Sequence, residues 1–176
     1  MSDTQWPRYE VFQQETPDRP HRHAGSVHAP DAEIALLNGR DVFVRRPECS
    51  SLWVAPASAI FGGTAEELAA GAPPTGDVSG ETVEFLVFAK VDPRGTLTHV
   101  GQVQAASKRR AVEEAVHACG PQTPFVLWVV PAALVTRSEP GEAAPLFSPA
   151  LDRPYRDQAF YHIQTALRRL RQESGG

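Results

Sequence analysis

The fold of this chain is decided by a stretch that occurs twice. The first occurrence reads His23-Ala-Gly-Ser-Val-His-Ala29, and the second, 76 residues later, reads His99-Val-Gly-Gln-Val-Gln-Ala105. Two more blocks repeat in the same order around it: Tyr9-Glu-Val-Phe12 with Phe85-Leu-Val-Phe88, and Trp53-Val-Ala-Pro-Ala57 with Trp128-Val-Val-Pro-Ala132. Because three separate blocks keep one order, the sequence predicts a tandem duplication of a unit of roughly 50 residues.

The same four elements are predicted in each copy. Aromatic and branched residues predict two strands joined by a turn, then a helix that follows a capping residue, then a third strand. In the first copy these are Tyr9–Gln14, Arg22–Ala29, a helix from Asp31 to about Arg46, and Ser51–Ala57. In the second copy they are Val83–Val91, Leu97–Ala105, Lys108–Cys119 and Phe125–Val130.

Short connections between these elements favour an α+β fold of two tandem ββαβ repeats. Each repeat is expected to form an antiparallel sheet of strand order 2-1-3 that is backed by one helix. The strand Phe125–Val130 is apolar on both faces, and one helix covers only one of them. Its second face therefore needs cover from the other copy or from a partner protein.

The predicted organisation has four parts. Residues 1–61 form the first repeat and residues 82–137 the second. Residues 62–81 are rich in Gly, Ala, Pro and Thr, which is typical of a linker, with room for one helical turn at Ala65 to Ala70. Residues 138–176 are a connector and a C-terminal tail. The spacing of its apolar residues predicts a helix from Asp157 to about Gln172.

The composition argues against two classes of function. A net charge of −4 and a pI near 5.9 are unlike the basic surfaces that bind nucleic acid or anionic membranes. The first residues do not show the charged-then-apolar pattern of a signal peptide, and the sequence has no apolar run near 18 residues, so we expect neither a signal peptide nor a membrane-spanning segment. Two cysteines without a secretory signal are typical of reduced thiols, so we expect a cytoplasmic protein.

The sequence contains no convincing catalytic constellation. Glu114-Ala-Val-His117 has the Glu-x-x-His spacing of di-iron sites, but such sites need two of these motifs and two further glutamates. The first copy has Asn38 and Asp41 at the equivalent places, so a solvated helix face is the better interpretation. Nucleophile-elbow, Cys-x-x-Cys and phosphate-binding motifs are absent from the sequence.

Three histidines cluster around the second strand. If that strand is regular, His21 and His23 share one face while His28 points to the other. Three metal ligands are then not on one side. Because His99 repeats His23, we expect structural or interface roles for these side chains.

The residues of the first copy and the tail resemble a known family, the B subunit of phenylacetyl-CoA epoxidase, PaaB. The blocks that carry the resemblance run in one order: Trp6-Pro-x-Tyr-Glu-Val-Phe12, His21-Arg-His-x-Gly-Ser-Val-His-Ala29, Ala35-Leu-x-Asn-x-Arg-Asp41, Arg45-Arg-x-Glu48, Ser51-Leu-Trp-Val-x-x-Ala-Ser-x-Ile60, Phe147-Ser-Pro-Ala150, Tyr155-Arg156 and Phe160-Tyr-x-Ile163. This chain departs from typical single-copy members because it inserts a second copy. That copy lacks the His-Arg-His and Arg-Arg signatures.

The resemblance implies a non-catalytic, bridging or organising subunit of a multicomponent monooxygenase. In that family, a di-iron catalytic subunit, a related structural subunit and a reductase act on phenylacetyl-CoA with O2 and NADPH. The di-iron centre, FAD, iron–sulfur cluster and NADPH belong to those partners, and no cofactor or metal is expected in this chain. Single-copy members pair, so we expect the duplication to form a pseudo-dimer within one chain, with further homo-oligomerisation left open.

The residues predicted to contact partner subunits lie in the first copy. They are Trp6, Tyr9, His21, Arg22, His23, His28, Arg45, Arg46 and Trp53. For Tyr9 and Trp53 the alternative is a place in the core. The alternative function is a stand-alone small-molecule module or a cofactor-poor aromatic oxygenase, because duplicated sheets backed by helices can enclose an apolar pocket.

Overall fold

The computed structural model describes residues 6–44, 49–69, 81–120, 124–138 and 146–147. The first unit contains β1 (Arg8–Gln14), β2 (Arg22–His28), α1 (Ala32–Phe43) and β3 (Ser51–Pro56), followed by β4 (Phe61–Thr64) and the short α2 (Ala65–Ala69). The second unit contains β5 (Val83–Lys90), β6 (Thr98–Ala105), α3 (Lys108–Ala118), β7 (Val126–Pro131) and β8 (Thr136–Arg137). The α+β class predicted from the sequence is confirmed.

Both long helices begin at the capping residues that the sequence provides. The Asp31 carboxylate accepts a hydrogen bond from the Ile34 amide at 2.8 Å, and the Ser107 hydroxyl accepts one from the Arg110 amide at 3.2 Å. Each bond satisfies one of the free amides of a first helical turn. The helix α1 ends at Phe43, before the predicted end near Arg46, and residues 45–48 lie outside the described part of the chain.

The eight strands form one sheet in the order β4-β7-β5-β6-β2-β1-β3-β8. In each unit, the first strand lies between the second and the third. The two three-stranded sheets are joined where β2 meets β6 at Arg22 and Thr98. The His23 amide donates to the Leu97 carbonyl at 2.8 Å, and the His99 amide donates to the His21 carbonyl at 2.7 Å. These two bonds are equivalent under the 76-residue offset, so a pseudo-twofold axis passes between β2 and β6.

The units exchange their last strands. The strand β4 leaves the first unit and pairs with β7, from Phe61 opposite Val129 to Thr64 opposite Val126. The strand β8 leaves the second unit and pairs with β3, with Trp53 opposite Arg137. Each unit therefore completes an edge of the other.

This exchange corrects one sequence-based expectation. Residues 62–64 were expected to begin the linker, but they belong to β4. A Cβ on Gly62 would lie 1.9 Å from the Leu127 carbonyl oxygen, and its φ of +128° is in the region that favours glycine. The glycines that suggest a linker thus permit close strand pairing instead. The helical turn predicted from Ala65 is present as α2, and residues 70–80 lie outside the described part.

The core has three clusters. One lies between α1 and the first unit's strands, and one lies between α3 and the second unit's strands. The third combines residues of both units, and its centre is the Phe12 ring, which stacks 4.0 Å from the Phe88 ring. The strands β1 and β5 are three strand spacings apart, or about 14 Å in a flat sheet. The sheet therefore curls until the helix-free faces of the two units meet, and the other copy covers the second face of β7.

A bulge in β2 overturns the expectation for His28. Val11 lies opposite Gly25 and Phe12 lies opposite His23, which leaves Ala24 as the extra residue. His23 and His28 consequently stand opposite Phe12 and Arg8, alternate residues of β1, and share one face. The prediction that His28 faces away from His23 was wrong because it assumed a regular strand. The same bulge recurs at Val100 in β6.

Candidate functional site at the junction of the two units

Six aromatic and imidazole rings line the contact between the units, and we call them the junction cluster. They are Phe12, His23 and Trp53 from the first unit and Phe88, His99 and Trp128 from the second. The geometry is nearly twofold: His23 meets Trp128 at 5.1 Å and 71°, and His99 meets Trp53 at 5.3 Å and 72°. Edge-to-face and offset-stacked rings at these distances stabilise a contact beyond their area of burial. These ring contacts therefore stabilise the association of the two units.

The two histidines of this cluster have different partners. The imidazole Nε2 of His23 lies 2.8 Å from the carboxylate of Glu10. The same carboxylate forms an ion pair with Arg8 at 3.0 Å. The residue equivalent to Glu10 is Leu86, so His99 lacks a carboxylate at that place. Its Nε2 is buried and has no hydrogen-bond partner among the described residues. The two histidine rings are thus related by the pseudo-twofold axis but differ in their hydrogen-bond partners.

A third histidine, His21, lies against the junction cluster and also breaks the symmetry. Its ring stacks on Trp53 at 3.5 Å and 19°, and its Nε2 is buried without a partner among the described residues. The equivalent residue is Leu97. The guanidinium of Arg137 lies 4.9 Å above the same tryptophan ring. The Trp53 ring therefore contacts both the His21 imidazole and the Arg137 guanidinium.

Burial keeps the imidazoles of His21 and His99 neutral at pH 7. Desolvation lowers the pKa of His21 to about 4, with smaller contributions from His99 and Arg137. Desolvation also lowers the pKa of His99; a backbone hydrogen bond to Gly101 opposes the shift and Arg137 adds to it. Neutral imidazoles fit this site because a buried charge without a partner is costly.

The structure divides the predicted partner-contact residues into three groups. Trp6 is 59% exposed, the Arg22 side chain pairs with Glu15 at the surface, and His28 is exposed. The others that are described lie inside: Tyr9 is in the core beneath α1, His21 is buried, and His23 and Trp53 are in the junction cluster. Arg45 and Arg46 lie outside the described residues. Among the described members of this set, Trp6, Arg22 and His28 are the ones whose side chains are exposed to another protein.

A surface that the sequence analysis missed lies on α1. Ile34, Leu37 and Val42 are 38–44% exposed. At the equivalent places α3 has Arg110, Glu113 and Ala118, and the first two form an ion pair at 3.3 Å. The signal was present in the 76-residue offset, which aligns these positions directly.

Two exposed residues outside α1, Trp6 and His28, are linked to this helix through their backbone carbonyls. The His28 imidazole donates to the Trp6 carbonyl at 2.8 Å, and the Asn38 amide of α1 donates to the His28 carbonyl at 3.2 Å. The end of β2 and the segment before β1 are thus tied to the middle of α1. We call the three exposed apolar residues of this helix, Ile34, Leu37 and Val42, the α1 face.

The described residues do not match a di-iron donor set. Glu114 and His117 are exposed on α3, and no group of three or more His, Cys, Asp or Glu in the described ranges is placed to hold a metal ion. A carboxylate-bridged di-iron site takes ligands from four helical segments. Within the same ranges, no helix is both long enough and apolar enough to cross a membrane.

Comparisons with known proteins agree with the duplicated architecture. The family model PaaB, phenylacetic acid degradation B, matches residues 5–77 and then residues 81–168. The chain is also similar to the Escherichia coli K12 protein named as the B subunit of 1,2-phenylacetyl-CoA epoxidase. The two are 48% identical over 67 residues, which cover 38% of this chain and 70% of that protein. No solved structure matches the chain.

Proposed function

The chain belongs to the PaaB family, and from that premise we propose that it is a non-catalytic subunit that bridges and organises a phenylacetyl-CoA epoxidase. Its role is to hold other subunits in place while they carry out the oxidation. The family match over both units and the epoxidase relative support this proposal. The partners are then the catalytic and structural di-iron-type helical subunits and the reductase.

The observation that carries the proposal is the contrast between the α1 face and α3. Both helices pack on equivalent strands: α1 on β2 and β3, and α3 on β6 and β7. At matched positions α1 presents Ile34 and Leu37, whereas α3 presents the ion pair of Arg110 and Glu113. Several exposed apolar side chains on one helix are typical of a protein-binding surface. We infer that the first unit contacts a partner through the α1 face and that the second unit does not.

The duplication gives this subunit a single binding direction. A pair of identical single-copy chains would present the same surface twice, related by the twofold axis. In this chain, the second unit completes the sheet and the junction, and its helix surface is charged. Linking the two units also raises their effective concentration to roughly millimolar. The result is a pseudo-dimer in which, among the described helices, α1 presents an apolar outer surface and α3 a charged one.

The cofactors of the reaction belong, in this proposal, to the partner subunits. The family's di-iron centre, FAD, iron–sulfur cluster and NADPH would supply oxygen activation and electron transfer there. The contribution of this chain is positional: a rigid sheet holds the α1 face and the surface residues Arg22 and His28. No catalytic residue is assigned to it.

The α1 face can be tested with substitutions copied from the second unit. The double variant Ile34→Arg with Leu37→Glu places the residues of α3 on α1. We expect it to keep its circular dichroism spectrum but to lose co-purification with the catalytic subunit. The matched control is Arg110→Ala with Glu113→Ala on α3, which should bind as the unchanged chain does. Equal binding by all three proteins would remove the α1 face from the proposal.

A second test addresses Arg45 and Arg46, whose forked guanidinium groups suit partner carboxylates. Arg45→Glu with Arg46→Glu should release the partner and leave the fold intact. Unchanged complex formation would retire these two residues.

The rival function, a stand-alone oxygenase, makes a different prediction. An independent enzyme would oxidise an aromatic thioester without other proteins, whereas a bridging subunit is inert alone. Turnover of phenylacetyl-CoA by the purified chain, with O2 and NADPH but no other subunit, would overturn the proposed role.

A further inference from the structure

The second unit contains an apolar cleft of about 350 Å³ between α3 and the strands β5 and β6. Its walls include Val87, Ala89, Val103 and Ala115, and its end is formed by Cys119. The cleft lies on the helix-covered side of the sheet, away from the junction cluster. The first unit shows what fills this place in the same backbone.

In the first unit, the space is occupied by a phenyl ring. Phe43 ends α1 and packs against the core of that unit. Its ring lies directly over Gly25: a Cβ built on that glycine would be 2.6 Å from Cζ and 2.7 Å from Cε1. The tip of the ring therefore packs directly against Gly25, the residue after the bulge.

The second unit keeps the glycine but lacks the phenyl ring. The residue equivalent to Phe43 is Cys119, and the residue equivalent to Gly25 is Gly101. A Cβ on Gly101 would have no atom within 4 Å apart from its chain neighbours. Cys119 has a thiol where Phe43 has a phenyl ring. Because the backbone has not collapsed around the smaller side chain, a space with room for a six-membered ring remains.

The mouth of the cleft has also become apolar. Val91 and Val100 line it and are 55% and 52% exposed. The equivalent residues of the first unit are Glu15 and Ala24. Burial raises the pKa of the Cys119 thiol, so the end wall is uncharged at neutral pH. Exposed valines at the rim of an open apolar space are typical of a ligand site.

We infer that this cleft binds a small molecule through an unfused phenyl ring. The ring would take the place that Phe43 takes in the first unit, and the rest of the ligand would pass Val91 and Val100 towards solvent. The size is sufficient, because an apolar cavity of about 150 Å³ is known to hold benzene. The inference does not depend on the epoxidase role, since the cleft is a property of the second unit alone.

Methyl-resolved NMR of the full chain tests this directly, with benzene and phenylacetate as probes. We expect both to shift the methyl signals of Val87, Val103 and Ala115. Cys119→Phe restores the ring of the first unit and should weaken binding about tenfold or more, which corresponds to about 1.4 kcal/mol. Cys119→Ser leaves the space open and should bind as the unchanged chain does.

Two further variants keep the test decisive if Cys119→Phe does not fold. Cys119→Leu fills less of the cleft and should also weaken binding. Phe43→Cys opens the matched space in the first unit and should add shifts at Val11 and Val27. Absence of shifts in the unchanged chain, or shifts that survive Cys119→Phe or Cys119→Leu, would overturn the inference. The epoxidase role would remain open to its own binding experiment.

Discussion

The two units of this chain share a backbone and differ in chemistry. Both have the same strand arrangement, the same bulge followed by a glycine of positive φ, a capped helix and an exchanged edge strand. They differ at Glu10 and Leu86, at His21 and Leu97, at Phe43 and Cys119, and on the outer faces of the helices. The shared features are those that pair strands and bury rings. The differences lie at the cleft of the second unit, on the outer surfaces of the helices and around the junction histidines.

The junction cluster shows which differences the fold tolerates. The rings on either side of the axis are matched because each unit buries the other's rings. The groups around them are unmatched: one histidine has a carboxylate and the other has none. The packing of the rings is therefore symmetric, whereas the polar groups around the two histidines are not.

Truncation of the central stack should have the largest effect. Phe12 and Phe88 are both fully buried, and each substitution to Ala should lower the free energy of unfolding by about 3–5 kcal/mol. The double variant should cost less than the sum, since the two rings touch. Urea unfolding measures all three. Phe125→Ala, at a half-exposed ring, is the control and should cost far less. A large loss at one of the two rings and none at the other would contradict a shared junction.

Exchange of Glu10 and Leu86 between the units should give unequal effects. Leu86→Glu buries a carboxylate near His99, but the place of Arg8 is taken there by Glu84. We expect a loss of about 3 kcal/mol. Glu10→Leu should cost only about 1 kcal/mol, because the second unit already holds a histidine without a carboxylate. Similar losses in the two variants, measured by urea unfolding, would argue against this electrostatic asymmetry.

Acidification should destabilise the fold through His21. In the unfolded chain this side chain takes a proton below its ordinary pKa of 6.5, whereas in the native state it does so only near pH 4. The unfolded state binds more protons between these values, so stability falls as pH falls through this window. We expect a loss of about 2 kcal/mol from this group between pH 6.5 and 4. His21→Leu, which copies Leu97, should flatten the profile. An unchanged profile in that variant would assign the loss to other groups.

Removal of the helix caps should give small and equal effects. Asp31→Ala and Ser107→Ala each leave one amide of a first turn without its acceptor, at a cost of about 1 kcal/mol. Thermal unfolding of the two variants should therefore shift by similar amounts. A shift confined to one variant would show that the two helices contribute differently to the cooperative fold.

The repeat, the elements of each unit and the fold class could be predicted because they depend on local patterns: period-two strands, capping residues and spaced apolar stripes. The exchanged strands could not. The strand β4 contains two consecutive glycines and β8 has two residues, so neither has the composition of a strand. Their pairing comes from distant partners, β7 and β3, that local patterns do not reveal.

The site was harder to predict than the fold. Tyr9, His21, His23 and Trp53 are predicted from the sequence to contact partner subunits, with the core as the alternative for Tyr9 and Trp53, and the structure places all four inside the chain. Sequence alone does not separate these positions, because aromatic and imidazole side chains occur both in cores and at interfaces. Their placement depends on how far the sheet curls. The cleft at Cys119 and the α1 face become visible only when the two copies are compared position by position. That comparison was available in the sequence, but its meaning depended on knowing which positions are exposed.

The central claim is that neither unit is complete without the other, and cutting the chain tests it most directly. A protease site placed within residues 70–80 would separate the first unit and β4 from the second unit and β8. We predict that the two pieces stay together after cleavage, with the mass of the intact chain by native mass spectrometry, and separate only on unfolding. Pieces that part under native conditions as two folded monomers would contradict the exchanged strands, the junction cluster and the pseudo-dimer together.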